Sequence, residues 1–478
     1  MIFTSFNFLL FFPATVIIYY LTPVKFRWLT LLFASYFFYI CTKPVFALLL
    51  AGVTLSTYLF TRLIDSTSIE RRKKLLMQIN VCLILFPLFF FKYFSGINYA
   101  ILVFLESIHV RLDLPDIKLI LPIGISFYTF MAIGYTVDVY NEKIRSEKNL
   151  GMVALFISFF PLVLSGPIER AKNMLPQFNA IKPANYEMIV QGLKLMLWGY
   201  FMKLVVADRL GIYIDAVYGH VSQHNGTSLL FASILYPFQE YADFGGYSII
   251  AIGTANVLGI NVIQNFKRPF FATSMSEFWR RWHISLISWL TDYVFTPLSF
   301  TFRKYKTWGI VIALMITFFL SGLWHGPALT FIAWGLIQGI LLSFEALTNR
   351  KRAGFEKEHN LNRKGWYIFA GICITFILFS ASEVIDRATS IKEAYHILHR
   401  IISTRGTLFI GTPSTLIFSG IGLTMLLLKD FFDEFLPSRM LLFESKHKFV
   451  RIIAYSSIII LILLIGVFDG GQFIYFQF

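Results

Sequence analysis

Long apolar stretches, separated by short clusters of basic residues, recur along this chain from Ile2 to Phe468. A membrane-crossing helix needs about 20 apolar residues to cover about 30 Å of hydrocarbon. Runs of that kind repeat often enough to predict an all-α, polytopic transmembrane bundle, and the lack of apolar and polar alternation argues against a barrel. Loop charge gives the runs a direction. Arg62, Arg71, Arg72, Lys73 and Lys74 form a cluster that the positive-inside bias assigns to the cytoplasm. Counting back, 44–60 comes inward and 28–40 goes outward. The run at 1–21 is then the first membrane helix, with the N-terminus outside, since it has neither the basic start nor the small-residue cleavage site of a signal peptide.

Going forward, 75–94 leads out to Arg111, Asp113 and Asp116, and 119–140 returns to Glu142, Lys143 and Arg145. The run 150–166 is short, contains Pro161 and is followed by Arg170, Lys172 and Lys182. Basic residues on both sides predict a re-entrant hairpin dipping in from the cytoplasm, which requires surrounding protein or a water-filled cavity. Crossings follow near 188–206 and 229–260. Lys267, Arg268, Arg280 and Arg281, then the R-K-Y-K at 303–306, read as cytoplasmic. The runs 308–324 and 328–347 go out and back to the strongly basic loop 350–364. Alternation through 366–380, 416–428 and 450–468 leaves the C-terminus outside, and the absence of an internal repeat or soluble segment predicts one membrane domain, 1–478.

Composition strengthens this picture. Of 478 residues 56% are hydrophobic, 18% aromatic and only 14% charged, with a mean hydropathy of +0.66, outside the range of water-soluble domains. The net charge of +15 sits in short inter-helix clusters rather than on one aromatic-studded face, so nucleic acid is not an expected partner and membrane lipid is. Cys41, Cys82 and Cys373 lie far apart in apolar runs, which implies no disulfide framework and no metal site.

Three polar groupings stand out against the apolar background. His325 closes the run M-I-T-F-F-L-S-G-L-W-H-G-P-A-L-T at 315–330, between Trp324 and the helix breakers Gly326 and Pro327. An ionisable ring at membrane depth is costly without a partner or a purpose. At 1.5 Å per residue it lies roughly 25 to 30 Å along its helix from Lys306, and the next apolar run begins at once, so the ring is expected to be enclosed by protein. A neutral imidazole there either caps a helix turn or takes a proton from a hydroxyl. The second grouping, 276–298, has helical periodicity: Phe278, Trp279, Trp282, Leu286, Leu290 and Tyr293 share a face with His283, while Arg281, Ser285, Ser288 and Asp292 form a polar stripe. Periodicity by itself favours an amphipathic helix lying at the cytoplasmic interface. The third is Gln239, Glu240, Tyr241, Asp243 and Tyr247, whose acids must face a cavity or pair with a base. Gly245 and Gly246 beside them suit close helix packing.

Four motifs in order, S-G-P-I-E-R-A at 165–171, F-W-R-R-W-H at 278–283, G-L-W-H-G at 322–326 and the terminal F-I-Y-F-Q-F at 473–478, resemble the bacterial membrane-bound O-acyltransferase family, nearest its alginate O-acetylating branch. The resemblance implies a ring of helices around a central pore with re-entrant segments, in the bacterial cytoplasmic (inner) membrane. It implies transfer of an acyl group, in the first instance acetyl, from a cytoplasmic thioester to a hydroxyl of an extracytoplasmic polysaccharide or relay partner of the SGNH type. No bound cofactor is implied; acetyl-CoA or an acyl-carrier thioester is the donor substrate, and an acyl-carrier protein is a candidate partner. By that carry-over His325 is the principal catalytic histidine and His283 the second. Trp279, Arg280, Arg281, Trp282, Trp324, Asp243 and Tyr241 are expected to contact substrates, and Lys267 and Arg268 join Arg280 and Arg281 at a donor mouth suited to phosphates or an acidic carrier. Tyr475 is either an interfacial aromatic anchor or an acyl relay, since a phenol with a pKa of about 10 leaves more readily than a sugar alcohol. Two places depart from the family pattern: Ile249 stands where relatives often carry an acid, and S-F-T-F at 299–302 replaces a glycine pair. The competing readings are D-alanyl transfer toward teichoic acid and a polysaccharide exporter without acyl chemistry, the latter disfavoured by the missing inverted repeat.

Overall fold

The structure of the protein, a computed structural model, describes residues 1–108, 119–180, 183–436 and 445–468. Helices and turns build these residues, and no strand occurs among them. Eight helices among the described residues are long and apolar enough to cross a membrane. The chain is an integral, all-α polytopic membrane protein, as its hydrophobic pattern predicts. It forms two compact units, one of 1–193 with 251–263 and one of 194–250 with 264–478.

In the first unit Phe6–Leu21 is capped by Ser5, whose hydroxyl accepts the Phe8 N–H at 3.3 Å, and Pro44–Ser66 starts on a proline, where the missing N–H costs nothing. Glu70–Ser107 runs well past the expected end at residue 94 because apolar residues continue to Leu105. The expected 119–140 crossing contracts to Ile125–Tyr140. Gly124, at φ +80°, turns the chain into it, and a Cβ there would lie 2.0 Å from the Val163 carbonyl oxygen. The 150–166 segment forms Leu150–Ser158, a break at Phe159 and one turn, Phe160–Val163. Residues 152–169 are buried without interruption, which is the condition under which broken backbone is tolerated at membrane depth. The Phe160 N–H finds the Ser35 hydroxyl at 3.1 Å. Glu169, buried in the S-G-P-I-E-R-A motif, accepts the Ile263 N–H at 2.6 Å and the Asn173 amide at 2.9 Å, so that motif fastens a loop rather than presenting a reactive group.

In the second unit the expected 188–206 and 229–260 crossings each contain a π-helical turn, Phe201–Ala207 and Tyr241–Gly245. The two turns approach closely where glycine faces glycine: a Cβ on Gly199 would lie 2.6 Å from the Gly246 carbonyl oxygen. Gly246 therefore serves the close packing its sequence context suggests. Thr307–His325 and Leu329–Glu358 form a tight antiparallel pair joined through Gly326 and Pro327. Gly322 and Gly335 let the backbones meet; a Cβ on either would lie 2.4 Å from a carbonyl oxygen of the opposite helix.

One expectation fails here. The 276–298 stretch is not one amphipathic helix on the interface but Met275–Arg281, Ile284–Leu290, a π turn Thr291–Phe295 and Thr296–Thr301. His283 interrupts it in the left-handed region, at φ 44° and ψ 49°. Backbone bonds to the preceding loop override the periodicity: Lys267 N–H donates to the Arg281 carbonyl at 2.8 Å, and Ile284 N–H to the Asn265 carbonyl at 2.9 Å. The break turns Trp282 and His283 inward, where both are almost fully buried.

Candidate functional site

His325 is the last residue of Thr307–His325 and is 7% exposed, enclosed as its position in the sequence predicts. Its ring meets Trp324 edge-on at 4.9 Å between centroids, Trp334 at 4.8 Å and Phe331 at 6.4 Å. Trp324 also packs against His283, at 6.2 Å. One indole therefore touches both imidazoles, and the two histidines lie close enough to feel each other's charge. Sequence separation of 42 residues hides this pairing; the helix break at 282–283 and the glycine-tight hairpin at 322–335 create it.

His283 sits between Phe244 at 4.6 Å, edge-on, and Phe266 at 6.5 Å. Its Nδ1 is 3.2 Å from Asn265 Oδ1, the same oxygen that accepts the Ser285 N–H at 3.2 Å and the Ser285 hydroxyl at 2.9 Å. Burial pushes the His283 imidazole well below its ordinary range, and the nearby His325 pushes it further, so the ring is a neutral base at physiological pH. Asn265 was not singled out by the sequence, where a lone asparagine before a basic loop reads as a turn residue.

The walls are aromatic. Trp279 and Trp282 are buried. Trp279 donates its indole N–H to Gln338 at 3.3 Å, and Gln338 donates to the Ser382 hydroxyl at 2.7 Å. Trp334 donates its indole N–H to Glu383 at 2.8 Å. Trp282 stacks on Phe278 at 5.4 Å and meets Phe266 edge-on at 5.1 Å. Such a lining excludes water from anything reactive held near the imidazoles.

The other expected contact residues divide. Asp243 is ion-paired with Lys203 at 2.6 Å, and Lys203 also holds Asp208 at 2.7 Å, so the acid is answered by a base that the sequence reading passed over inside the 188–206 crossing. Tyr241 donates its hydroxyl to Asp430 at 2.8 Å. Of the four cations expected at the donor mouth, Arg268 and Arg281 are both drawn to Glu434, at 2.8 Å each, and Arg281 also to Glu277 at 2.6 Å; Lys267 and Arg280 are exposed. A cavity of about 530 Å³ opens beside this cluster, lined among others by Glu277, Arg281, Glu345, Arg352 and Glu434. Tyr475 and the rest of the terminal motif lie outside the described residues, as do Arg111, Asp113, Asp116 and Lys182.

Both histidines, Asn265 and the four tryptophans around them fall within the stretch matched by the family model of the membrane-bound O-acyltransferases, residues 118–383. Over 84% of its length the chain is 34% identical to a probable alginate O-acetylase of Pseudomonas aeruginosa, 75% of which is covered. A peptidoglycan O-acetyltransferase of Helicobacter pylori is 30% identical over 79% of this chain and 74% of its own. A teichoic acid D-alanyltransferase of Streptococcus thermophilus matches at 30% over only 53% of this chain and 65% of its own.

Proposed function

We propose, from the premise that this chain belongs to the membrane-bound O-acyltransferase family and is a membrane O-acetyltransferase, that His325 and His283 are the centre of its chemistry. The donor is a cytoplasmic thioester, acetyl-CoA or an acyl-carrier thioester, and the acceptor is a hydroxyl on an extracytoplasmic polysaccharide or on a transferase partner that delivers the group to one. The single observation that carries this reading is the pair of buried histidines sharing the Trp324 indole. Similarity over 84% and 79% of this chain to a probable alginate O-acetylase and a peptidoglycan O-acetyltransferase, against 53% for a teichoic acid D-alanyltransferase, supports acetyl over D-alanyl transfer.

In this mechanism the acceptor hydroxyl approaches the thioester carbonyl inside the aromatic enclosure and His325 takes its proton as the new C–O bond forms. The thiolate leaves with a proton returned from the same ring. Trp279, Trp282, Trp324 and Trp334 keep water from competing as nucleophile. Lys267 and Arg280 offer charge to the donor's phosphates, whereas Arg268 and Arg281 shape the entrance through Glu434 rather than binding by free charge. Tyr475 supplies the first such acceptor hydroxyl: His325 takes the phenol proton as the acetyl group moves to the phenolic oxygen and the thiolate leaves, and the aryl ester, still activated, then passes the acetyl group to a sugar hydroxyl whose proton returns to the phenol oxygen.

Incubating membranes with isotope-labelled acetyl-CoA and following both product acetylation and the intact protein's mass tests these roles together. General-base help is worth about 100- to 10,000-fold, so His325→Ala should reduce transfer to near background. The terminal peptide should carry one added acetyl group that Tyr475→Phe abolishes. Undiminished acetylation by His325→Ala refutes the central role, and full activity in Tyr475→Phe refutes the relay.

A further inference from the structure

Asn265 is 1% exposed, and its two ends have opposite fates. Oδ1 is crowded with three donors: the Ser285 N–H, the Ser285 hydroxyl and His283 Nδ1. Nδ2, by contrast, has no hydrogen-bond partner among the described residues. The orientation of the amide follows from chemistry: a backbone N–H can only donate, so the atom facing Ser285 N must be the oxygen. Two consequences result. His283 Nδ1 must carry a proton to donate to that oxygen, which leaves the lone pair of the ring on Nε2. And two amide N–H donors, sealed from solvent, stand beside that imidazole without an acceptor.

Buried N–H groups are rarely left without an acceptor, because the cost of desolvation is not returned. A group that arrives with the substrate resolves this. We propose that Asn265 is a third catalytic residue of the acyl-transfer site: its Nδ2 donates to the thioester carbonyl oxygen as that oxygen becomes an oxyanion, while its Oδ1 holds His283 in the Nδ1–H form. The inference rests on the reading that the two histidines mark where acyl transfer occurs.

The electron balance gives the donors their task. The acceptor oxygen bonds to the carbonyl carbon, its proton passes to His325, and the C=O π pair moves onto the carbonyl oxygen. Collapse of that oxyanion restores the double bond and breaks C–S, and the thiolate takes the proton back from His325. Negative charge is greatest midway, and donors fixed in a water-free site stabilise it without reorganising. The sharing of one residue between tautomer control and oxyanion binding also explains why the chain leaves the helical path at His283: the left-handed turn is what lets Ser285 and His283 reach one oxygen together.

The decisive variant is Asn265→Asp in the full-length protein in membranes, assayed with acetyl-CoA. The carboxylate keeps an acceptor for Ser285 and His283, so a purely structural asparagine predicts near wild-type turnover. Loss of the donors predicts a fall in kcat of about 100- to 1,000-fold with KM for acetyl-CoA within about threefold. The acidic limb of the pH profile should also move to higher pH, because a carboxylate beside the ring favours imidazolium. A second measurement needs no variant: the ketone analogue of acetyl-CoA, with CH2 in place of sulfur and a 13C-labelled carbonyl, should show its C=O stretch displaced to lower wavenumber when bound to the wild-type protein. Wild-type kcat in Asn265→Asp, or an unshifted carbonyl stretch, overturns the inference. His325→Ala separates the layers. If it is inactive while Asn265→Asp is not, only the asparagine's role fails; if it is fully active, the histidine reading falls and takes this inference with it.

Discussion

Glu383 shows how far a single side chain reaches at the residue scale. It accepts the Trp334 indole N–H at 2.8 Å, and Trp334 packs edge-on against the His325 ring. The Glu240 carboxyl is its buried neighbour, close enough for the two to interact. Glu383→Gln keeps an acceptor for the indole and should stay within about threefold of wild type. Glu383→Ala leaves the indole N–H without one, a loss of about 1–3 kcal/mol, so kcat should drop by roughly one order of magnitude or more. A thermal shift with unchanged kcat in the surviving enzyme would show that Glu383 stabilises the fold without positioning the ring. Legibility differs among these residues for a physical reason. His325 announces itself because an ionisable ring in an apolar run has few bland explanations. Glu383 and Asn265 do not, since each follows a polar residue, nor does Gln338, a single uncharged amide within an apolar run, and their meaning comes only from partners 18 to 59 residues away in the chain.

At the scale of elements, hydrophobic runs located the helices well and their interruptions poorly. Periodicity sees apolar faces, whereas π turns and the break at 282–283 are decided by tertiary bonds such as Lys267 N–H to the Arg281 carbonyl. The π turns Phe201–Ala207 and Tyr241–Gly245 share the most consequential of these bonds. Lys203, on one, stands between Asp208 and Asp243, which lies on the other, with all three side chains under 10% exposed. A π turn inserts an extra residue into the helix and swings side chains around the axis, which brings the ammonium and the carboxylate to 2.6 Å. Removing one member of a buried ion pair typically costs about 3–5 kcal/mol because the remaining charge is stranded. Lys203→Met should therefore lower the midpoint of thermal unfolding of the detergent-solubilised protein, followed by size-exclusion chromatography. Lys203→Met combined with Asp208→Asn and Asp243→Asn should recover much of that loss. Equal destabilisation by the single and triple variants would mean that packing of the lysine stem, rather than its charge, holds the two helices.

For the whole molecule, the direction of each crossing rests on loop charge, and direction is what gives the reaction its sense. By the positive-inside bias the basic loops 62–74 and 350–364 are expected on the cytoplasmic side. Helix lengths add a condition: Phe6–Leu21 and Arg27–Ile40, with 16 and 14 residues, reach roughly 24 and 21 Å, less than the hydrocarbon core, so the bilayer is expected to thin beside them. The histidine pair proposed to be catalytic is enclosed, and it can be served from two compartments only if each substrate is admitted from its own side. Sealed vesicles of known orientation test this directly, because acetyl-CoA does not cross a bilayer. With the cytoplasmic face outward, added labelled acetyl-CoA should be consumed and label should accumulate on acceptor trapped in the lumen. With the opposite orientation, consumption should begin only after detergent opens the vesicles. Equal consumption by both intact preparations would reverse the assignment of the donor side, and label confined to the donor face would mean that the acyl group never traverses the protein.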